Sequence, residues 1–442
     1  MTAVTTNPRP APSASAKPPP ASDADPHNPI HNMFWMRHRS EVEEDLRQLR
    51  AQPLTFFPGY EFYGELASIR APGAWVVARM APILEVSRNP QIYSSASGVT
   101  VNDFPPTFNE YFNSIIAMDD PRHARLRRLV SAGFTPRMLA RLEDSVADQA
   151  KLIVDEVCER GECDFVTDVA ARLPLRIVCD LMGIPASQHD FVFDQSNVIL
   201  GAGDAEYVPE FGDLLTAVLS AGEALTQLMD DVAESKVGVD SGDLTSVLVN
   251  AEVDGERLTR AELASFFILL AMAGNETTRN AISWGLVYLT DHPDQRRIWA
   301  ENFEGIAHSA TEEIVRIASP VTYLRRTALR DTEIEGQRIE QGDMVVLHYL
   351  CANRDEAIFE EPLAFDVRRH PNPHVGFGGP GAHYCLGAHL ARREIKVMFR
   401  ELFSRIGDIH ATAEPDLLAS SFIHGIKHLP AEFTPTSPTR AQ

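Results

Sequence analysis

Apolar residues between positions 120 and 160 recur every three or four residues: Leu126, Leu129 and Val130, then Leu139, Leu142, Val146, Ala150, Ile153, Val154 and Val157. That is the period of an amphipathic helix. The same spacing predicts helices over about 184–234, 259–290, 293–303 and 309–318, and a shorter one over 34–50. Strand-like runs are fewer. Residues 73–81 carry β-branched material closed by Pro82, and 323–350 holds short runs broken by Gly336 and Gly342. The pattern therefore predicts a mainly α fold with a minor β region. No segment repeats at a fixed period and no interior stretch has the composition of a linker, so residues 30–442 are expected to form a single domain. Residues 1–29, rich in Pro, Ala and Ser, predict a disordered tail.

Composition adds bounds. With 442 residues, 44% hydrophobic and 23% charged, the chain has the make-up of a soluble globular protein with a sizeable core. A formal charge of −22 repels nucleic acid and anionic membrane as bulk partners. The longest apolar run, 266–273, falls far short of the ~20 residues of a membrane-spanning helix. Nor does the chain open with a basic and then apolar leader. Five scattered cysteines without a CxxC pair do not make a disulfide framework, so a reducing cytoplasm is expected.

Candidate chemistry begins at Cys385. The segment Phe377-Gly-Gly-Pro-Gly-Ala-His-Tyr-Cys385-Leu-Gly387 places glycines and a proline just ahead of a helix of period Ala391, Ile395, Met398, Leu402. A cysteine at a helix start meets unpaired N–H groups and the positive end of the helix dipole, which stabilise a thiolate suited to an axial metal ligand. The glycines let the loop approach a flat cofactor. A buried structural cysteine is the plainer alternative. Zinc would require three or four clustered Cys or His ligands, and only His383 is nearby.

Residues 262–290 are apolar on nearly every side, as in a buried helix, but Gly274-Asn-Glu-Thr-Thr278 interrupts them. A helical Thr can bond the carbonyl four residues back, and a Gly just before it lets the helix bulge around a small ligand. A simple crossing of small residues is the alternative. Ser309-Ala-Thr-Glu312 fits a capping box opening the helix that holds Glu313 and Arg316, three residues apart on one face. His123 and Arg127, four apart, share another face, which leaves Arg122, Arg125 and Arg128 as a solvated basic surface.

Together these segments resemble the cytochrome P450 family of haem-thiolate monooxygenases, and the resemblance spans nearly the whole chain after the tail. It implies a single-domain cytochrome P450 fold and a haem b cofactor (iron protoporphyrin IX), with Cys385 as the ligand of the iron and Phe377 and Gly387 in the cofactor loop. One departure is visible. The family's loop usually places Phe seven residues before the ligand, whereas Phe377 precedes Cys385 by eight. The string Ala273-Gly-Asn-Glu-Thr-Thr is similar to the family's oxygen-activation motif, which implies that Thr277 hydrogen-bonds dioxygen and Glu276 relays protons. Splitting an O–O bond calls for two protons delivered in a site dry enough to protect the oxidant, while the thiolate supplies the electronic push. Glu313 and Arg316 resemble the family's ExxR, a structural ion pair beneath the cysteine loop. His123, Arg127, Arg326 and His383 match its donors to the two haem propionates.

The strings Val101-Asn-Asp, Glu110-Tyr-Phe-Asn-Ser-Ile-Ile, Ser265-Phe-Phe-Ile-Leu-Leu and Ser421-Phe-Ile-His-Gly-Ile-Lys look like the bacterial subfamily that omega-hydroxylates methyl-branched lipids and oxidises sterol side chains. The longer cysteine loop is shared with that group. The implied reaction is terminal hydroxylation of a methyl-branched lipid, isoprenoid or sterol side chain, in a pocket lined by Phe112, Ile116, Ala273, Val321 and Phe422. The chain carries no flavin or iron–sulfur motif, so its two electrons are expected from a separate ferredoxin and ferredoxin reductase, drawn to the surface of Arg122, Arg125 and Arg128. Two other classes are set against this one. A peroxide-driven fatty-acid peroxygenase does not require the Glu276 and Thr277 pair, and a non-catalytic haem or lipid carrier has no use for a proton relay.

Overall fold

The computed structural model describes residues 26–439 except 53, 62–69, 134–135, 202–203, 205, 208–213, 251 and 253–254. Most of the expected tail, residues 1–25, lies outside the described residues. Residues 26–29 belong to the fold. Asn28 is buried and its Nδ2 donates to the Pro58 carbonyl (3.2 Å), while Trp35 Nε1 donates to that of Pro29 (3.0 Å). Composition cannot show such a tether.

The helices are α1 (Asn32–Trp35), α2 (Arg39–Ala51), α3 (Met80–Ser87), α4 (Pro106–Asn113), α5 (Arg122–Gly133), α6 (Pro136–Val157), α7 (Arg172–Met182), α8 (His189–Leu200), α9 (Leu214–Ser235), α10 (Leu244–Asn250), α11 (Arg260–Asp291), α12 (Pro293–Glu301), α13 (Phe303–Ala318), α14 (Tyr349–Ala352) and α15 (Ala388–Arg405). The main sheet runs in spatial order Thr55–Glu61, Arg70–Val77, Met344–His348, Tyr323–Ala328 and Tyr93–Ser94. Its neighbours are antiparallel except Arg70–Val77 beside Met344–His348, which are parallel and therefore joined by a long crossover. The mainly α architecture with a minor sheet is as the periodicity predicts. Among the described residues, no helix is long and apolar enough to cross a membrane.

Several boundaries differ from expectation. The run over 34–50 is divided into α1 and α2, and that over 184–234 into α8 and α9. Pro82 does not close a strand: the strand ends at Val77 and Pro82 sits in the first turn of α3, where a missing N–H leaves no bond unmade. Ser309 does not cap a helix either. α13 begins at Phe303, and Ser309 Oγ donates to the carbonyls of Ile306 (3.0 Å) and Val367 (2.7 Å). A capping box does open α11, where Thr259 Oγ1 accepts from the Glu262 N–H (3.1 Å) and Glu262 Oε2 accepts from that of Thr259 (2.9 Å).

α11 has 32 residues, about 48 Å at the helical rise, and runs through the largest hydrophobic cluster. Gly274 is what lets α7 lie close to it, because a Cβ there would come within 2.8 Å of Val178 Cγ2. α15 packs against α6, α11 and α13, and so fixes where the cysteine loop ends.

One buried acid on α15 gives a stability prediction. Glu394 is 3% exposed, its Oε2 has no partner among the described residues, and burial alone pushes its carboxyl up to about 8. The folded chain thus keeps a proton that the unfolded chain releases near 4.5. Stability from this group is full below that unfolded value and is lost as pH rises towards about 8. Glu394→Gln keeps the shape without the charge. It should be near-neutral at pH 5 and stabilising by on the order of 3 kcal/mol at pH 8. Thermal midpoints of both proteins across that range check this, and a difference that does not grow with pH refutes it.

Candidate functional site

α11 is buried along most of its length, yet Ala273 is exposed and Leu270, Gly274 and Thr277 are half-buried. At helical spacing these four positions form one stripe, which the neighbouring elements leave partly uncovered. Thr277 Oγ1 donates to the Ala273 carbonyl four residues back (2.7 Å), which leaves the hydroxyl oxygen able to accept from a guest.

Of the five cysteines only Cys385 is exposed. Burial is nevertheless the largest influence on its thiol and pushes it up, while the Gly387 N–H and the charges of Arg127 and Arg392 pull it down. Cys385 is thus open to solvent on one side and packed by protein on the other. A cation bound there would reverse the balance and hold it as thiolate. Cys385 N donates to the Phe377 carbonyl (3.1 Å), Tyr384 N to that of Gly381 (3.2 Å) and Gly378 N to that of Val375 (2.9 Å). Gly378 and Gly381 have φ of 86° and 148°, conformations open chiefly to glycine, and side chains at Gly379 or Gly381 would strike Ser87 at the end of α3.

Four basic groups from three elements gather beside this loop. His123 and Arg127 come from α5, Arg326 from the strand Tyr323–Ala328, and His383 from the loop itself. The His123 and His383 rings lie 4.3 Å apart, and Arg127 donates to the Tyr384 carbonyl (2.8 Å). His383 is pushed down to about 3 by burial, then by Arg326, His123 and Arg127. Burial likewise draws down His123, whose Nε2 has no partner among the described residues. Arg326, 6% exposed, donates to the Arg325 carbonyl (2.7 Å) and makes no ion pair among the described residues. A buried cation without an anion is costly, so the cluster suits a guest carrying carboxylates. An exposed cysteine and, beside it, a basic cluster whose buried Arg326 has no anionic partner among the described residues together fit a haem with two propionates, although His123 also meets Asp120 (3.3 Å).

Glu276 is fully buried and paired with Arg279, whose Nη1 also reaches Asn197 Oδ1 on α8 (3.3 Å). Burial pushes the Glu276 carboxyl up against the pull of Arg279. Positions 276 and 277 point about 100° apart, so Glu276 lies around the helix from the open stripe. Glu276 Oε1 and both amide atoms of Asn275 are buried without partners among the described residues, as expected where ordered water bridges polar groups.

Glu313 and Arg316 form a fully buried pair, with Arg316 Nε and Nη2 at 2.7 and 2.8 Å from the carboxylate. Of the expected pocket residues, Ala273 is exposed, and Ile116, Val321 and Phe422 are half-buried. Val321 pairs with Ile423, which brings Phe422 beside it. Phe112 differs: it is buried, its ring against Phe108 (4.5 Å) and Tyr111 (4.8 Å), and belongs to the core. The supposed free basic surface is also neutralised. Arg122 pairs with Glu110, and Arg125 with Glu256 (2.7 Å) and Glu262 (2.8 Å). Arg279 and Arg392 went unforeseen, because an arginine on a helix reads as solvated until its partners are placed.

The sequence model of the family described as Cytochrome P450 matches residues 223–406. The chain is 47% identical over 410 residues to the methyl-branched lipid omega-hydroxylase of Mycobacterium tuberculosis, covering 91% of this chain and 93% of that protein. It is 38% identical over 371 residues to the steroid C26-monooxygenase of the same organism, covering 83% and 84%. Among solved structures it is similar to a Mycobacterium marinum cytochrome P450 in complex with pseudoionone, with TM-score 0.86 and 40% identity over 95% of this chain and 100% of that one.

Proposed function

The chain belongs to the cytochrome P450 family, and from that premise we propose that it is a monooxygenase hydroxylating the terminal carbon of a methyl-branched lipid, isoprenoid or sterol side chain. The observation that carries the reading is a basic cluster, with the buried and anion-free Arg326 in it, gathered at the loop of the one exposed cysteine. When bound, the haem supplies dioxygen activation and the thiolate's electronic push. The chain's own residues do the rest. Cys385 ligates the iron, with Phe377 and Gly387 shaping the loop around it. Arg127 and Arg326, with His123 and His383, hold the propionates. Ala273, Ile116, Val321 and Phe422 present an apolar wall that excludes water from the reacting carbon. Thr277, its own proton resting on the Ala273 carbonyl, would accept a hydrogen bond at Oγ1 from the guest, and Glu276 would pass protons inward by its unpartnered Oε1. Electrons come from a ferredoxin and its reductase in the cytoplasm.

Adding phytanic acid or cholestenone to haem-loaded protein should shift it from low to high spin, and a ferredoxin system should then give the terminal alcohol. No shift and no product with either would sink the substrate reading. Thr277→Ala tests the monooxygenase reading separately, since the hydroxyl bonds only its own helix and its loss costs little stability. Reductant consumption should persist while product falls several-fold and hydrogen peroxide takes its place. Thr277→Ser should restore the coupling, and unchanged product yield in the alanine variant would remove Thr277 from the proton path.

A further inference from the structure

Arg392 of α15 stands where the cysteine loop, α13 and α15 meet. Its guanidinium lies over the Phe377 ring, 4.2 Å from the centroid, and grips both oxygens of Glu312 on α13 (2.5 and 2.9 Å). Its Nη1 donates to the Ala388 carbonyl (3.4 Å) at the start of α15. Glu312 in turn pairs with His374 Nε2 (3.1 Å). The residue that opens the loop, Phe377, and Glu312 of α13 therefore share one cation. An arginine clamped by a bidentate carboxylate keeps its charge at one place.

We propose that Arg392 is a positioning residue whose charge, fixed over Phe377 by Glu312, sets the reduction equilibrium of the haem held at Cys385. The proposal rests on the reading of Cys385 as the iron's ligand. Reduction from ferric to ferrous adds one electron, hence one negative charge, to the haem and its thiolate. A fixed cation nearby favours the reduced form, and a fixed anion opposes it. A merely mechanical brace makes a different forecast, because Arg392→Gln and Glu312→Gln break the same ion pair and would disturb the loop in the same direction.

Haem-loaded wild type, Arg392→Gln, Arg392→Lys and Glu312→Gln would be titrated with dithionite and the midpoint potentials compared. Arg392→Gln is expected to make reduction roughly three- to tenfold less favourable, which is ~30 to 60 mV for a one-electron couple. Glu312→Gln should move it by a similar factor the other way, and Arg392→Lys should stay near wild type. Equal signs in the two Gln variants, or no shift in either, overturn the proposal. If Arg392→Gln does not fold, Glu312→Gln decides alone: a more positive potential supports the proposal, and an unchanged or more negative one overturns it. The reduced carbon monoxide spectrum of the same wild-type sample reports on Cys385 independently, so a failure of that reading is distinguishable from a failure of this one.

Discussion

Cys385→Ser is expected to abolish the red-shifted Soret band of the reduced carbon monoxide complex and to bring hydroxylation to background, while leaving the chain folded. Cys385 is exposed, so exchanging sulfur for oxygen removes no core contact and should change stability by no more than about 0.5 kcal/mol. What it removes is the one exposed thiol of the five. Cys179 and Cys351 serve as controls, since burial pushes both thiols up to about 12 and neither offers a thiolate at neutral pH. Substituting either should leave the band in place. A Cys385→Ser protein with an unmoved band would return this residue to a structural role and remove the basis of the proposed chemistry.

The loop around Cys385 and the helix after it were legible in sequence because their signals are local. The glycine-rich loop and its cysteine occupy eleven consecutive residues, 377–387, and a helix follows at once, from Ala388. Helix period was legible for the same reason, which is why α11 and α15 lie where the pattern puts them. What failed depended on partners far along the chain. Ser309 has the spelling of an N-cap, but its hydroxyl is taken by Val367, 58 residues on. Arg122 and Arg125 have the spacing of a basic face, but acids of α4, of the segment before α11 and of α11 itself neutralise them. Phe112 has the type of a pocket residue, but an aromatic ladder along α4 takes it into the core. Side-chain type and spacing give the face a residue occupies, whereas its partner is a property of the tertiary fold.

Arg316 and Glu313 show the energetic side of that distinction. Five donors converge on the Glu313 carboxylate: Arg316 Nε and Nη2, Arg369 Nε (3.1 Å), Asn372 Nδ2 (3.1 Å) and the Asp366 N–H (3.0 Å). Arg316 spends its remaining hydrogens on the carbonyls of Asn353 (2.8 Å), Pro362 (2.7 Å) and Ala364 (3.1 Å). Burial pushes the Glu313 carboxyl up, but these donors outweigh it and hold the group below its ordinary value. Its stabilisation is therefore present above the unfolded carboxylate range and lost as pH falls through the lower folded value. Glu313→Ala leaves the Arg316 cation buried without a counter-charge, an expected loss of about 3–5 kcal/mol against the 5–15 kcal/mol of a whole domain. The yield of folded, haem-loaded protein should fall sharply, and the acid limb of the wild-type stability curve should flatten in the variant. The double variant Glu313→Leu with Arg316→Met removes both charges at once. It should be less destabilised than the sum of the single changes by several kcal/mol, measured as a coupling energy from the four midpoints. Additive losses would show instead that the two residues act separately and that the pair does not brace the loop as a unit.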